Sequence, residues 1–255
     1  MNEIVLYFAL KYKGQFDAIY QALKEKEPVD TVLQQELLAR LKSRYVTILD
    51  DDYPERLKTM TCPPFVLFYY GDLSLANNHT ISVIGMRNCS DYGRQVTQQL
   101  VGKLVKEDLT IVSGMAIGID GIAHETAMEQ GGHTIAVLGG GIDCPYPKRH
   151  KYLYEAIKAN HLVVSEYPFD NMPRRDGFPK RNRIIAGLGE TVLVTEANLR
   201  SGTMITVGFA LEYGKDIFAV PGRLDDAPGC NFLISQGAIL VQDVSDIIER
   251  YCFHD

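Results

Sequence analysis

No run of the 255-residue sequence reaches the roughly 18 apolar residues of a membrane-spanning helix. The N-terminus, MNEIVLYFALKYKGQ, has neither a basic leader segment nor a small-residue cleavage site. A cytoplasmic protein with no membrane contact is expected. The five cysteines, Cys62, Cys89, Cys144, Cys230 and Cys252, form no CxxC pair and stand at no zinc-ligand spacing from a histidine, so free thiols and no metal are expected. Signatures of several enzyme classes are missing too. There is no GxxxxGK[ST] loop: Gly208 and Gly214-Lys215 are separated by five residues and followed by Asp216. The turn at 85–93 lacks GxGxxG, and neither a GxSxG elbow nor an HExxH helix occurs. P-loop ATP hydrolysis is thereby disfavoured, and no catalytic residue or cofactor is assigned. Positive charge is also short, with 26 Lys+Arg against 32 Asp+Glu and a net charge of −6, so the average does not advertise a nucleic-acid partner.

What is present describes an ordinary globular chain, 46% hydrophobic and 23% charged, of a length that suits one large domain with a small appendage. Residues 1–44 read as short helices interrupted by Pro28, with Ile4, Leu6, Phe8, Leu10, Ile19, Leu23, Leu33, Leu37, Leu38 and Leu41 at partly helical spacing. Their apolar surface is too small for an independent core, so they should lean on the rest of the chain. Residues 45–79 read as a connecting segment, with short strands at 45–49 and 65–70 around the Pro63-Pro64 breaker.

From Thr80 the pattern becomes regular. The runs TISVIG, LTIVSG, HTIAVLGGG, HLVVSE, TVLVTE, DIFAVPG and AILV are short and rich in β-branched residues, and helical stretches separate them. In 90–107, Ser90 can cap a helix whose stripe is Tyr92, Val96, Leu100 and Leu104. Strands buried on both faces and linked by helices imply a mostly parallel sheet. The expected fold is α/β, a Rossmann-like doubly wound domain over residues 80–255 with a small N-terminal helical domain. Ligands bind such sheets at the carboxyl ends of the strands.

Unusual residues gather in those strand-end loops. In VIGMRNCSDYG, Gly85 permits a tight turn and Arg87 offers a guanidinium at the tip, either for an oxyanion or as a solvated surface group. In SGMAIGIDGIAHETA, Ser113, Gly114 and Gly118 allow close backbone approach before a helix start. There Asp120 and His124 share a helix face, as an acid/base pair or as a capping carboxylate and a packed histidine. The stretch 139–157 joins three glycines to the Tyr146-Pro147-Lys148 corner. The stretch 167–187 holds Arg174, Arg175, Lys180, Arg181 and Arg183, interleaved with Tyr167, Phe169 and Phe178. Residues 174–183 carry a net +4, and this mixture of cations and aromatics suits a single strand of nucleic acid, a mobile basic loop being the plainer alternative. Finally, Ser201-Gly202-Thr203 opens a helix after a strand ending in Glu196, as a phosphate seat or a plain cap.

The segments YP…PPFVLFYYG, VIGMR…SDYG, VSGMAIGIDGIAH, GGGIDCPYP, FPKRNRIIAGL, TEANLRSGTMIT, FAVPG and GCNFLISQGA occur in this order. Together they resemble the DNA-processing protein A family (DprA, also called Smf) over about residues 45–242. The resemblance implies a bacterial protein of natural transformation that binds single-stranded DNA, forms a homodimer and helps load the RecA recombinase. It places Arg87 on the family's G-[ST]-R loop, Lys148 on its YPK corner, and Arg181, Asn182 and Arg183 on its RNR motif. Met86 stands where the family has Ser or Thr, which removes a hydroxyl from that loop. The N-terminal helices are short for the sterile-alpha-motif-like domain of many members, and the C-terminal winged helix of some relatives is not expected. The resemblance also implies a dimer contact around 231–240, assigned to Asn231, Phe232 and Leu240. Phe232, Leu233 and Ile234 are adjacent there and cannot all face one core.

The expected DNA-binding set is therefore Gly85, Arg87, Ser113, Gly114, Gly118, Asp120, Lys148, Phe178, Arg181, Asn182, Arg183, Ser201, Gly202 and Thr203. One alternative is an enzyme resembling the nucleoside-5′-monophosphate phosphoribohydrolases, with Glu196 as the working carboxylate. TEANLRSGT does not align with that family's PGGxGTxxE motif. The other alternative, a pure protein-binding scaffold, leaves the anion-ready loops unexplained.

Overall fold

The β-branched runs form strands, and the helices between them cover both sheet faces. A computed structural model of the chain describes residues 1–174, 177–223 and 227–251. Arg175, Asp176 and Cys252 lie outside the described residues. Among the described residues seven strands are parallel: β3 (Thr80–Gly85), β4 (Thr110–Gly114), β5 (Thr134–Val137), β6 (Leu162–Ser165), β7 (Thr191–Glu196), β8 (Ile217–Ala219) and β9 (Ile239–Leu240). Two more, β1 (Arg44–Thr47) and β2 (Val66–Gly71), form a hairpin that adds antiparallel to β6. Among the described residues the order is β1-β2-β6-β5-β4-β3-β7-β8-β9. The chain starts the parallel sheet in the middle at β3, builds outward to β6, then returns to the other side of β3 at β7. That reversal opens a crevice beyond the carboxyl ends of β3 and β7, where doubly wound sheets bind ligands.

Alternate strand residues feed two cores, as the period of two requires. Ile81, Val83, Ile111 and Leu193 pack under α5 (Asp91–Lys106) and α6 (Ile119–Glu129). Ile84, Val112, Ile135 and Val194 pack under α8 (Gly177–Leu188) and α9 (Gly202–Glu212). In α5 the expected Leu100 and Leu104 are buried together with Thr97 and Val101, and Val96 packs partly buried against the same core. Tyr92 is instead largely exposed and donates its hydroxyl to Pro221 O at 2.9 Å.

The N-terminal helices are α1 (Asn2–Lys11), α2 (Phe16–Lys24) and α3 (Thr31–Arg40), the last capped by Asp30, whose side chain accepts from Val32 N and Leu33 N. In α1 every residue from 5 to 10 is buried. These helices share one core with Phe68 of β2, Ala136 of β5, Val163 of β6 and Leu153 of α7 (Lys151–Asn160). They do lean on the sheet, as their thin apolar surface required. The remaining short helices are α4 (Glu55–Lys58), α10 (Gly229–Ser235) and α11 (Ser245–Ile248). No helix among the described residues is long and apolar enough to cross a membrane.

Candidate nucleic-acid interface

The loops leaving β3, β4 and β7 are joined backbone to backbone. Met86 N donates to Glu196 O at 3.0 Å, and Ile119 N donates to Met86 O at 3.1 Å. The second contact depends on Gly118, which sits at φ +84°, where a Cβ would run into the carbonyl groups of Met86 and Arg87. With its backbone fixed this way, Arg87 stands exposed at the loop tip. Below it is a crevice of about 400 Å³ whose lining includes Gly85, Arg87, Asp120, Arg181, Asn182 and the Ser201-Gly202-Thr203 turn. A smaller annex of about 80 Å³, lined by Arg87, Tyr146, Phe178 and Arg181, continues it across the end of β5.

Two buried charges form the crevice floor. Gly114 has no side chain, and the space beside it holds the Asp120 carboxylate and the Arg181 guanidinium. Burial pushes the Asp120 carboxyl up, and Arg181 beside it pulls it back. Arg181 also donates through Nη1 to Val137 O and through Nε to Asn182 Oδ1 at 3.2 Å. Asn182 Nδ2 then donates to Gly202 O at 3.1 Å, and Thr203 Oγ1 donates to Gly85 O at 3.0 Å. Arg181 and Asn182 therefore hold α8 against β5 and the start of α9. Ser201 spends its hydroxyl on Asn198 O at 2.8 Å and leaves the first turn of α9 without a side-chain cap. Free amides and the positive end of the helix dipole face the crevice there, an arrangement suited to an anionic oxygen. At the rim, the Arg87 guanidinium carbon lies 5.3 Å from the Phe178 ring centroid, and the exposed Tyr146 ring lies 5.8 Å from Phe178. Cation and aromatic faces thus stand together over the annex.

Residues 44–252 match the family model for DNA recombination-mediator protein A. The chain belongs to that family. It is similar to the DNA processing protein DprA of Streptococcus pneumoniae, with 45% identity over 209 residues, 81% of this chain and 74% of that protein. The X-ray structure of DNA processing protein A from Streptococcus pneumoniae superposes with a TM-score of 0.82 at 38% identity, covering 98% of this chain and 93% of that one. A Helicobacter pylori DNA processing protein A structure, described for its single-stranded DNA binding mode, superposes with a TM-score of 0.74 at 32% identity, covering 82% and 96% of the two chains.

For this member of the recombination-mediator family, the residues singled out from sequence do not all reach the crevice. Gly85, Arg87, Asp120, Arg181, Asn182, Ser201, Gly202 and Thr203 line the crevice, and Phe178 lines its annex. Lys148 is exposed at the start of a 3-10 turn, Lys148–His150. Gly114 and Gly118 shape the backbone. Ser113 is fully buried and gives its hydroxyl to Val83 O at 2.6 Å, so it holds β4 to β3 and does not line the crevice.

Arg183 lies on the other side of α8 and is 7% exposed, with Nη2 donating to Glu166 Oε1 at 2.5 Å. Burial pushes the Glu166 carboxyl up, while Arg183 and Lys180 pull it down. The basic stretch is therefore thinner at the surface than its +4 suggested. Arg174 and Lys180 are exposed, but Arg181 and Arg183 are buried because residues two apart on a helix point to opposite sides, here each toward a buried carboxylate. Glu166 was missed. Its only signal is a carboxylate ending the apolar run HLVVSE.

His124 is fully buried, donating from Nε2 to Gly114 O at 2.7 Å with Nδ1 2.6 Å from Thr134 Oγ1; it is the packed histidine of the two readings. Glu196 Oε2 accepts from Ser90 N at 2.9 Å, serving the start of α5 and not the crevice. Asn231 is tied within the chain, exchanging bonds with Gly222 N and O at 3.0 and 2.9 Å, while Phe232 and Leu240 are partly exposed. Among the described residues, no group of three or more His, Cys, Asp or Glu could hold a metal.

Proposed function

We propose that the chain binds single-stranded DNA in this crevice as a homodimer in the cytoplasm, and helps load RecA onto the strand during natural transformation without catalysing a reaction. The binding falls to residues 80–255, with residues 1–44 as a small helical domain and 45–79 as the connection. One observation carries the reading: an exposed Arg87 over the Phe178 ring shares a groove with the uncapped amides of α9. Phosphates meet the cation and amides, and bases meet the rings. The single-stranded DNA binding described for the Helicobacter pylori relative supports it. The carboxylates near the loops are already engaged, Asp120 beside Arg181 and Glu196 on the Ser90 amide, which disfavours the hydrolase alternative.

Fluorescence polarisation with single-stranded oligonucleotides at several salt concentrations tests the assignment. Arg87→Ala and Lys148→Ala are each expected to weaken binding across all sequences and to flatten the salt slope by about 0.7 per lost phosphate contact. Parent-like binding by both variants would overturn it.

A further inference from the structure

Across α8 from the crevice lies a second cavity of about 740 Å³, within the size range of small-ligand sites. It meets the annex only at the Gly139-Gly140 turn. Its walls include Lys13 from the turn between α1 and α2, Phe16 at the start of α2, Glu166 at the end of β6, Lys180 and Arg183 of α8, and Tyr213 after α9. Nothing in the strand-binding reading uses this space.

Its chemistry is specific. Glu166 is 4% exposed and Arg183 7%, and their bond occupies only the Nη2 side of the guanidinium. Arg183 Nη1 is buried and has no hydrogen-bond partner. Buried donors are nearly always paired, so an orphan on a charged group lining a cavity marks a missing acceptor. Beside it the carboxylate offers acceptors. Phe16 and Tyr213, both half-buried, supply ring faces, and Lys13 and Lys180 are exposed cations among the lining residues.

We propose that this cavity binds a guanine nucleotide. Guanine presents two adjacent N–H donors, N1–H and N2–H, next to the acceptor O6. A carboxylate accepts the first two while an arginine donates to the third. Glu166 and Arg183 Nη1 provide that set, the rings take the base faces, and the two lysines take the phosphate. The base is either that of a free mononucleotide or a guanine within a bound strand.

Two titrations separate these sources: calorimetry with GMP, AMP, CMP and UMP, and polarisation with an oligothymidylate with or without one central dG. GMP binding at least about ten-fold tighter than AMP identifies a free nucleotide, and a preference confined to the dG-containing strand identifies the strand. In either case Phe16→Ala should weaken the guanine-dependent binding about ten-fold, while plain oligothymidylate binding stays within about two-fold of the parent. Lys13→Glu, an exposed change that does not touch the core, should weaken it in the same direction. Absence of guanine preference in both titrations overturns the proposal. So does guanine binding that Arg87→Ala abolishes and both cavity variants leave intact.

Discussion

Glu166→Leu leaves the Arg183 guanidinium buried and without the partner of its Nη2. Arginine keeps its proton in proteins, so the charge stays. Breaking a buried ion pair from one side costs about 3–5 kcal/mol. At about 2–4 °C per kcal/mol for a chain approaching 250 residues, the melting temperature should fall by roughly 6–20 °C. The reciprocal change behaves differently, because the stranded carboxyl of Arg183→Met can take up a proton. Burial already pushes it up, and losing Arg183 removes the main opposing pull. Its folded-state value then lies above the unfolded one, so Arg183→Met is most stable at acid pH and weakens as pH rises between the two. The double variant, with both charges replaced by apolar groups, should recover much of the loss. Far-UV circular dichroism follows the melts, since the chain has no tryptophan. A Glu166→Leu melt within about 2 °C of the parent, or parallel pH profiles for the two single variants, would refute the argument.

Burial holds His124 down at about 4, below its ordinary value near 6.5. Between those values the unfolded chain binds a proton that the folded chain refuses, so stability falls by about 3 kcal/mol as pH drops through the window. Urea midpoints should therefore fall less steeply over that range in His124→Gln than in the parent; equal slopes contradict the assignment. At the sheet edge, Leu240 on β9 and Phe232 on α10 are 38% and 45% exposed. Leu240→Arg should convert a dimer to a monomer by light scattering, and an unchanged mass argues against that face as the contact.

The parallel strands were legible because β-branched runs buried on both faces have few other places to go. Strand order was not, and nothing in RYVT or VLFYYG announces an antiparallel hairpin on the far edge of β6. Glycines and cations at strand ends pointed to the crevice because the fold puts every such loop on one side. What local counting missed was direction. The sum over 174–183 treats each charge as exposed, whereas the α8 twist sends Arg181 and Arg183 inward to carboxylates supplied by α6 and the end of β6. Tyr92 left its stripe for the same kind of reason, since its hydroxyl finds Pro221, 129 residues on. Such distant partners are set by tertiary packing and leave little mark on local spacing.

The two inward arginines also fix the spacing within α8. Each residue advances a helix by about 100° and 1.5 Å, so one amino acid inserted between Arg181 and Arg183 would leave at most one of the two guanidinium groups aimed at its carboxylate. One compensated pair would become two stranded charges in a single event. The helical register from Arg181 to Arg183 cannot absorb an insertion, and any change of sequence there must proceed by substitution.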